Sequence, residues 1–188
     1  SVSDIGFGRF LCDIFDYWVR NDVGRCFVTN FDATLANWVG EMPGTCTFAQ
    51  TCGGNTVIEH NGDLYPCDHF VYKDYLLGNI TDKSIAEMMH SDKQTAFGID
   101  KRNKLPTKCL RCEWLFACNG ECPKHRFNTY ESRQARGGAR IETDLNALCA
   151  GYQMFFSHVA PYMDYMKDLL SRKMSPAYVI PWARTHAM

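Results

Sequence analysis

Eight of the ten cysteines in this chain are spaced in a way that leaves few folds open. Cys46-x5-Cys52-x14-Cys67 brackets one segment, Cys109-x2-Cys112-x5-Cys118-x3-Cys122-Pro123 forms a compact run, and Cys149 follows alone. Eight thiolates make two four-coordinate sites, and both zinc and iron–sulfur clusters accept four. Compactness does not choose between them, because a run as short as 109–122 can close on one zinc ion. The end of the run is more informative. In two-cluster ferredoxins the last Cys of such a run, the one before Pro, ligates the other cluster. Cys122-Pro123 has that arrangement. Divided in this way, Cys109, Cys112 and Cys118 need a fourth ligand, which Cys149 can supply. Cys46, Cys52 and Cys67 are then completed by Cys122. Two structural zinc sites would use the same eight residues, and disulfides are a third reading. Cys12 and Cys26 stand outside the pattern and read as small hydrophobes, the usual role of a free buried Cys.

Compartment bears on the disulfide reading. Ten cysteines in 188 residues, about 5%, is below the roughly 8–10% of small secreted scaffolds. The opening SVSDIGFGRF has no basic stretch followed by an apolar one, so it is not a secretory signal. A reducing, cytoplasmic setting is therefore expected, where spaced cysteines bind metal or do catalysis. The net charge of −1 gives no field that would draw nucleic acid. No apolar run reaches the roughly 18 residues of a membrane span. With 46% apolar and 22% charged residues the composition is globular. The length suits one domain, or one domain plus a fragment of another.

Residues 5–20 carry Phe7, Phe10, Leu11, Ile14, Phe15, Trp18 and Val19 at helical spacing, with Cys12 inside the helix. Arg25-Cys26-Phe27-Val28 reads as a short strand, and Asn30 as the cap of a short helix bearing Leu35 and Trp38. Gly40 and Pro43-Gly44 mark a break, which puts a boundary near residue 41. Thr56–His60, then Asn61-Gly62, then Asp63–Tyr65 read as a hairpin whose two turn positions both need positive φ. A short helix is expected over Ser84–His90 with Ile85, Met88 and Met89 inward, starting near Thr81 or Asp82. The stretch 109–122 should be mostly loop. Residues 124–143, polar and basic with Gly137-Gly138, read as an exposed excursion. Helical period returns from Asp144 through Leu145, Leu148, Cys149, Tyr152, Phe155, Phe156 and Val159 to Leu170, with a kink or break at Pro161. The tail 171–188 shows no period, and no internal repeat is present.

These residues resemble a known family. The cysteine pattern, with Cys46-Thr-Phe-Ala, His60-Asn-Gly-Asp, Tyr65-Pro-Cys-Asp68, Leu77-Gly-Asn-Ile80 and Cys118-Asn-Gly-Glu-Cys-Pro-Lys-His-Arg126, resembles the SPASM domain of radical-SAM peptide-modifying enzymes, most closely the anaerobic sulfatase-maturating enzymes. The resemblance covers about residues 41–155. Asn21-Asp22-Val23-Gly24-Arg25 and Asn30-Phe31-Asp32 are similar to the end of that family's barrel. The fold this implies is α+β: a SPASM-type domain with a small β-hairpin, cysteine-rich cluster-binding loops and flanking helices. Its expected parts are 1–40 as the end of a radical-SAM barrel, 41–155 as the auxiliary iron–sulfur domain, and 156–188 as a C-terminal helix and tail.

The resemblance also implies chemistry. Such enzymes oxidise a Cys or Ser of a sulfatase to Cα-formylglycine. A 5′-deoxyadenosyl radical takes a hydrogen from Cβ, a base takes the thiol or hydroxyl proton, and the leftover electron passes to an acceptor. Two 4Fe–4S clusters are implied, one on Cys46, Cys52, Cys67 and Cys122, the other on Cys109, Cys112, Cys118 and Cys149. Asp68, next to Cys67, matches the family's proposed base. Partial burial beside an anionic cluster would raise its pKa towards a useful range. By composition alone Asp68 is equally a turn cap, and His69 a packing or hydrogen-bonding group. The implied partners are a sulfatase polypeptide and an electron carrier such as ferredoxin or flavodoxin. S-adenosylmethionine and a third 4Fe–4S cluster are expected only in a full-length enzyme. No Cys-x3-Cys-x2-Cys occurs here, since position 125, which would complete one from Cys118 and Cys122, is His125. This chain alone is therefore expected not to cleave S-adenosylmethionine. The basic excursion Lys124–Arg140 reads as a solvated loop or as a contact for the sulfatase. Other readings are a sibling SPASM enzyme, for instance a thioether-forming maturase, and a zinc-stabilised binding module.

Overall fold

The computed structural model describes residues 2–126 and 145–186. The basic excursion expected over 124–143 lies almost wholly outside them. The core is built by two helices from opposite ends of the chain. Helix α1 (Asp4–Asn21) starts where the Ser3 hydroxyl accepts the Gly6 N–H, and it buries Leu11, Cys12, Phe15, Trp18 and Val19. It packs on the long α7 (Cys149–Ser171), which buries Tyr152, Phe155, Phe156, Val159, Tyr162, Met163 and Met166. The crossing is close because glycine faces glycine. A Cβ on Gly8 would lie 2.7 Å from the Gly151 Cα. From there the helices run in the same direction: Phe7 stacks edge-on to Tyr152, and His158 Nε2 meets Asp16 Oδ1 at 2.7 Å.

Between them sits α2 (Thr29–Trp38), whose Phe31 packs against Phe15, Trp18 and Phe155. Trp38 Nε1 donates to Asp164 Oδ1 at 2.7 Å, tying α2 to α7. Three expectations fail in this region. Residues 25–28 form no strand, because the chain turns there and the Trp18 indole N–H is satisfied by the Cys26 carbonyl. Cys26 is exposed, so it is no core hydrophobe, whereas Cys12 is. Asn30 is not the cap; it lies inside α2, which begins after Val28 without a side-chain cap.

The sheet has three short antiparallel strands in the order β1 (Val57–Ile58), β2 (Asp63–Tyr65), β3 (Gly78–Asn79). Val57 pairs with Tyr65, Ile58 with Leu64, and Leu64 with Gly78. Only Gly62, at φ 88°, takes a positive φ in the turn, and Gly62 N–H closes on the Glu59 carbonyl. The loop is therefore a four-residue turn ending in a left-handed Gly, not the two-residue turn expected. The Asn61 side chain instead caps Asp63 N–H.

Helix α3 (Ile85–Met89) has a full capping box between Ser84 and Glu87, and its buried residue is Met88, while Ile85 and Met89 stay exposed. Helix α4 (Asp92–Asn103) follows, a helix the apolar period does not announce. Within 109–122 two single turns form, α5 (Thr107–Leu110) and α6 (Leu115–Cys118). Helix α7 runs unbroken through Pro161. The tail is ordered as a short 3-10 turn at Pro176–Tyr178 and α8 (Val179–Thr185), whose Trp182 stacks on Tyr165 at 4.7 Å. Among the described residues no helix is long and apolar enough to cross a membrane.

Candidate functional site

Three local devices bring the cysteines together. The first is the loop 46–53, which carries Cys46 and Cys52 and lies along one face of α4. Cys52 N–H donates to the Gly98 carbonyl at 3.0 Å, Gln94 Nε2 to the Gly53 carbonyl at 2.7 Å, and Lys101 Nζ to the Cys46 and Thr47 carbonyls at 2.5 and 2.8 Å. Residues 94, 98 and 101 share a helix face by their spacing of four and three. The second is strand β2, which delivers Cys67 at the start of a 3-10 turn over Asp68–Phe70. The third is the turn between Cys118 and Cys122. Asn119, Gly120 and Glu121 are all left-handed, at φ 49°, 71° and 52°. For the two non-glycine residues this conformation costs about 1–3 kcal/mol each and persists only where neighbours enforce it. Arg126 enforces it here: its guanidinium donates to the carbonyls of Asn119, Gly120 and Glu121. The turn sends Cys118 and Cys122 to different sides.

One cavity is lined by Cys46, Cys52, Cys67 and Cys122, beside Pro66, Asp68 and His69. A second is lined by Cys109, Cys112, Cys118 and Cys149, beside Trp114, Tyr152 and Phe156. All eight thiols are free. Burial pushes Cys52, Cys122 and Cys149 above the ordinary thiol value, Cys67 up to about 11 and Cys118 up to about 12. Neighbouring cysteines add to this along the same division. Cys122 and Cys46 raise Cys52, Cys109 and Cys149 raise Cys118, and Cys112 raises Cys149. Four thiolates on one zinc ion, at about 2.3 Å each, lie roughly 3.8 Å apart. Among the described residues only Cys67, Asp68 and His69 bring three ligand atoms within 4.8 Å of one another, and no three thiols do. The donor set, four soft thiols around each cavity, fits an iron–sulfur cluster.

Asp68 stands at the rim of the first cavity. Its carboxylate is exposed and held below the usual carboxylate range, first by the Cys67 thiol, which donates to Oδ1 at 3.2 Å, then by His69. Among the described residues no side chain buries this carboxylate, and the raised pKa expected beside an anionic cluster concerns the cluster-loaded state. His69 bridges, with Nδ1 3.7 Å from Cys122 Sγ and Nε2 4.0 Å from Asp68 Oδ2.

Several residues escape sequence reasoning. Lys101 and Arg126 are 1% and 6% exposed. Glu121, 2% exposed, accepts from Asn146 Nδ2 at 2.5 Å and meets His125 Nδ1 at 2.6 Å. That link ties the turn before Cys122 to the residues leading into Cys149. Helix α4 did carry one signal, Ser91 three residues before Gln94, the spacing of a capping box.

Residues 46–113 match the SPASM family, an iron–sulfur cluster-binding domain. A serine-type anaerobic sulfatase-maturating enzyme of Bacteroides thetaiotaomicron is 54% identical over 180 residues, 96% of this chain and 42% of that protein. This chain is homologous to the anaerobic sulfatase-maturating enzymes. A cysteine-type enzyme of Clostridium perfringens is 29% identical over 163 residues, 86% of this chain and 41% of that protein. The chain thus spans less than half the length of these relatives. Among solved structures, anSMEcpe with bound AdoMet has a TM-score of 0.73 at 25% identity and covers 100% of this chain with 46% of its own. The same protein with AdoMet and the Cp18Cys peptide gives 0.73 at 26% identity, over 90% of this chain and 45% of its own. The SPASM-type α+β fold expected from the sequence is the fold found.

Proposed function

We propose that this chain supplies the auxiliary-cluster part of a radical-SAM enzyme that oxidises a sulfatase side chain to Cα-formylglycine in the cytoplasm. The observation that carries the reading is the sorting of eight free thiols around two cavities in a homologue of the sulfatase-maturating enzymes. Cys46, Cys52, Cys67 and Cys122 would hold one 4Fe–4S cluster, and Cys109, Cys112, Cys118 and Cys149 the other. When bound, the clusters supply one-electron redox chemistry, and ferredoxin or flavodoxin is the partner class for it.

Asp68 is the proposed base. It accepts the proton of the substrate hydroxyl or thiol at the mouth of the first cavity. Its exposure leaves the carboxylate within reach of a peptide, and an exposed carboxylate is in the basic form at neutral pH. Because the serine-type relative is 54% identical and the cysteine-type one 29%, we assign serine as the preferred target. S-adenosylmethionine and a third cluster belong to the full-length enzyme, so the 188 residues alone should be inactive.

Metal analysis tests the cluster reading. Purified without oxygen, the chain should carry about eight irons with matching sulfide, and colourless protein with two zincs would end it. In the full-length enzyme Asp68→Asn should abolish formylglycine formation while iron content is unchanged. Near-normal turnover would remove Asp68 from the mechanism.

A further inference from the structure

Two cations are buried in this molecule without a salt bridge among the described residues. Lys101, 1% exposed, gives its ammonium only to the Cys46 and Thr47 carbonyls. Arg126, 6% exposed, gives its guanidinium to four carbonyls, those of Asn119, Gly120, Glu121 and Lys101, the last at 2.9 Å. Neither forms a salt bridge among the described residues. The one buried carboxylate nearby, Glu121, spends its oxygen on Asn146 and His125. Burying a full charge costs several kcal/mol unless an opposite charge accompanies it. Carbonyl dipoles offset part of that cost, and the remaining countercharge must come from what the two cations face.

Both are tied to the cysteine-bearing backbone, Lys101 through the Cys46 carbonyl and Arg126 through the turn between Cys118 and Cys122. Lys101 interacts electrostatically with Cys52, Cys46 and Cys122, all from the first cavity. Arg126 interacts with Cys109 and Cys118 of the second cavity, with Cys52 of the first, and more weakly with Glu121. The two cations are joined through the Lys101 carbonyl, so they form one buried positive strip.

We propose that Lys101 and Arg126 are the fixed counter-charges of the two clusters, and that they set the clusters' reduction potentials. The inference rests on the cluster reading above. A cluster held by four thiolates is anionic and becomes more so on taking up one electron, so a buried cation beside it favours the reduced form. Lys101 acts on the first cluster. Arg126 acts on both, and by clamping the turn at 119–121 it also keeps the two thiolate sets apart.

The test is a redox titration of the intact chain, followed by electron paramagnetic resonance, with dithionite as electron donor. Lys101→Gln keeps a donor for the carbonyls and removes the charge. It should lower the first cluster's ratio of reduced to oxidised form at a fixed potential about tenfold, or about 59 mV for one electron, and shift the second cluster less. Lys101→Arg should restore the wild-type value. Arg126→Gln should lower both clusters, and Arg126→Lys should recover most of the loss. If Lys101→Gln fails to hold iron but Lys101→Arg holds it, the counter-charge role stands. If both lose it, shape and not charge is what matters, and the proposal falls. Unchanged potentials with about eight irons bound would overturn the counter-charge role alone, whereas wild-type chain without iron would overturn the cluster reading beneath it.

Discussion

The two cysteine cavities are built on different foundations. That of Cys109, Cys112, Cys118 and Cys149 is walled by Trp114, Tyr152 and Phe156, side chains that belong to or pack against the same aromatic core that joins α1 to α7. That of Cys46, Cys52, Cys67 and Cys122 is walled by loops, clamped by polar groups of α4, and opens beside exposed Asp68 and His69. The difference teaches a division of labour. Apolar packing fixes one thiolate set against the aromatic core. Hydrogen bonds fix the other and leave a carboxylate exposed at its rim.

The largest effect expected bears directly on that division. Cys149→Ala should remove only the core-backed set, so that bound iron falls from about eight to about four. Loss of the rim-side irons would mean that the two cavities are not independent. Next is Gly151→Ala, two residues from Cys149. A Cβ there meets the backbone of Asp4 and Gly8, so overpacking should cost about 1–3 kcal/mol. Thermal unfolding should shift down by several degrees, and the core-backed irons should be lost before the others. An unchanged midpoint would show that the crossing of α1 and α7 does not support this cavity.

A third prediction uses pH on the metal-free chain. Cys118 is pushed up to about 12, and Cys12 and Cys67 to about 11, from 9.0. The folded state holds these protons longer than the unfolded one. Their contribution to stability is therefore complete below pH 9 and is lost as pH rises towards 11 and 12. The unfolding midpoint should fall over that window, and less so in Cys118→Ala than in wild type. The smallest effect should come from Ser84→Ala, which removes the capping box of α3 outside both cavities. It should cost about 0.5–2 kcal/mol, with iron content unchanged.

Much of the fold could be read from the residues because its signals are local or periodic. Helix α1 and most of α7 show their apolar stripes, the Asn61-Gly62 step marks the hairpin, and Ser84 with Glu87 marks α3. Helix α4 could not be read that way because the face it buries is Gln94, Gly98 and Lys101, which carry no apolar period. Strand β3 is two residues long and pairs only because β2 lies beside it. The break expected at Pro161 fails because core packing on both sides of it holds the helix together. The exposure of Asp68 could not be read either, because burial belongs to the surroundings of a residue and not to the residue.

By itself the sequence determined which thiols are available, the likeness to SPASM proteins, and which helical faces are apolar, since each is a matter of residue type and spacing along the chain. The tertiary structure alone decided which buried cations face which thiols, and how far each cavity is open. Those depend on groups far apart in sequence: Arg126 on the carbonyl of Lys101, Asn146 on Glu121, Gly8 on Gly151. A left-handed turn of three residues is enough to send neighbouring cysteines to different cavities, and it holds only because a guanidinium beyond it binds its carbonyls.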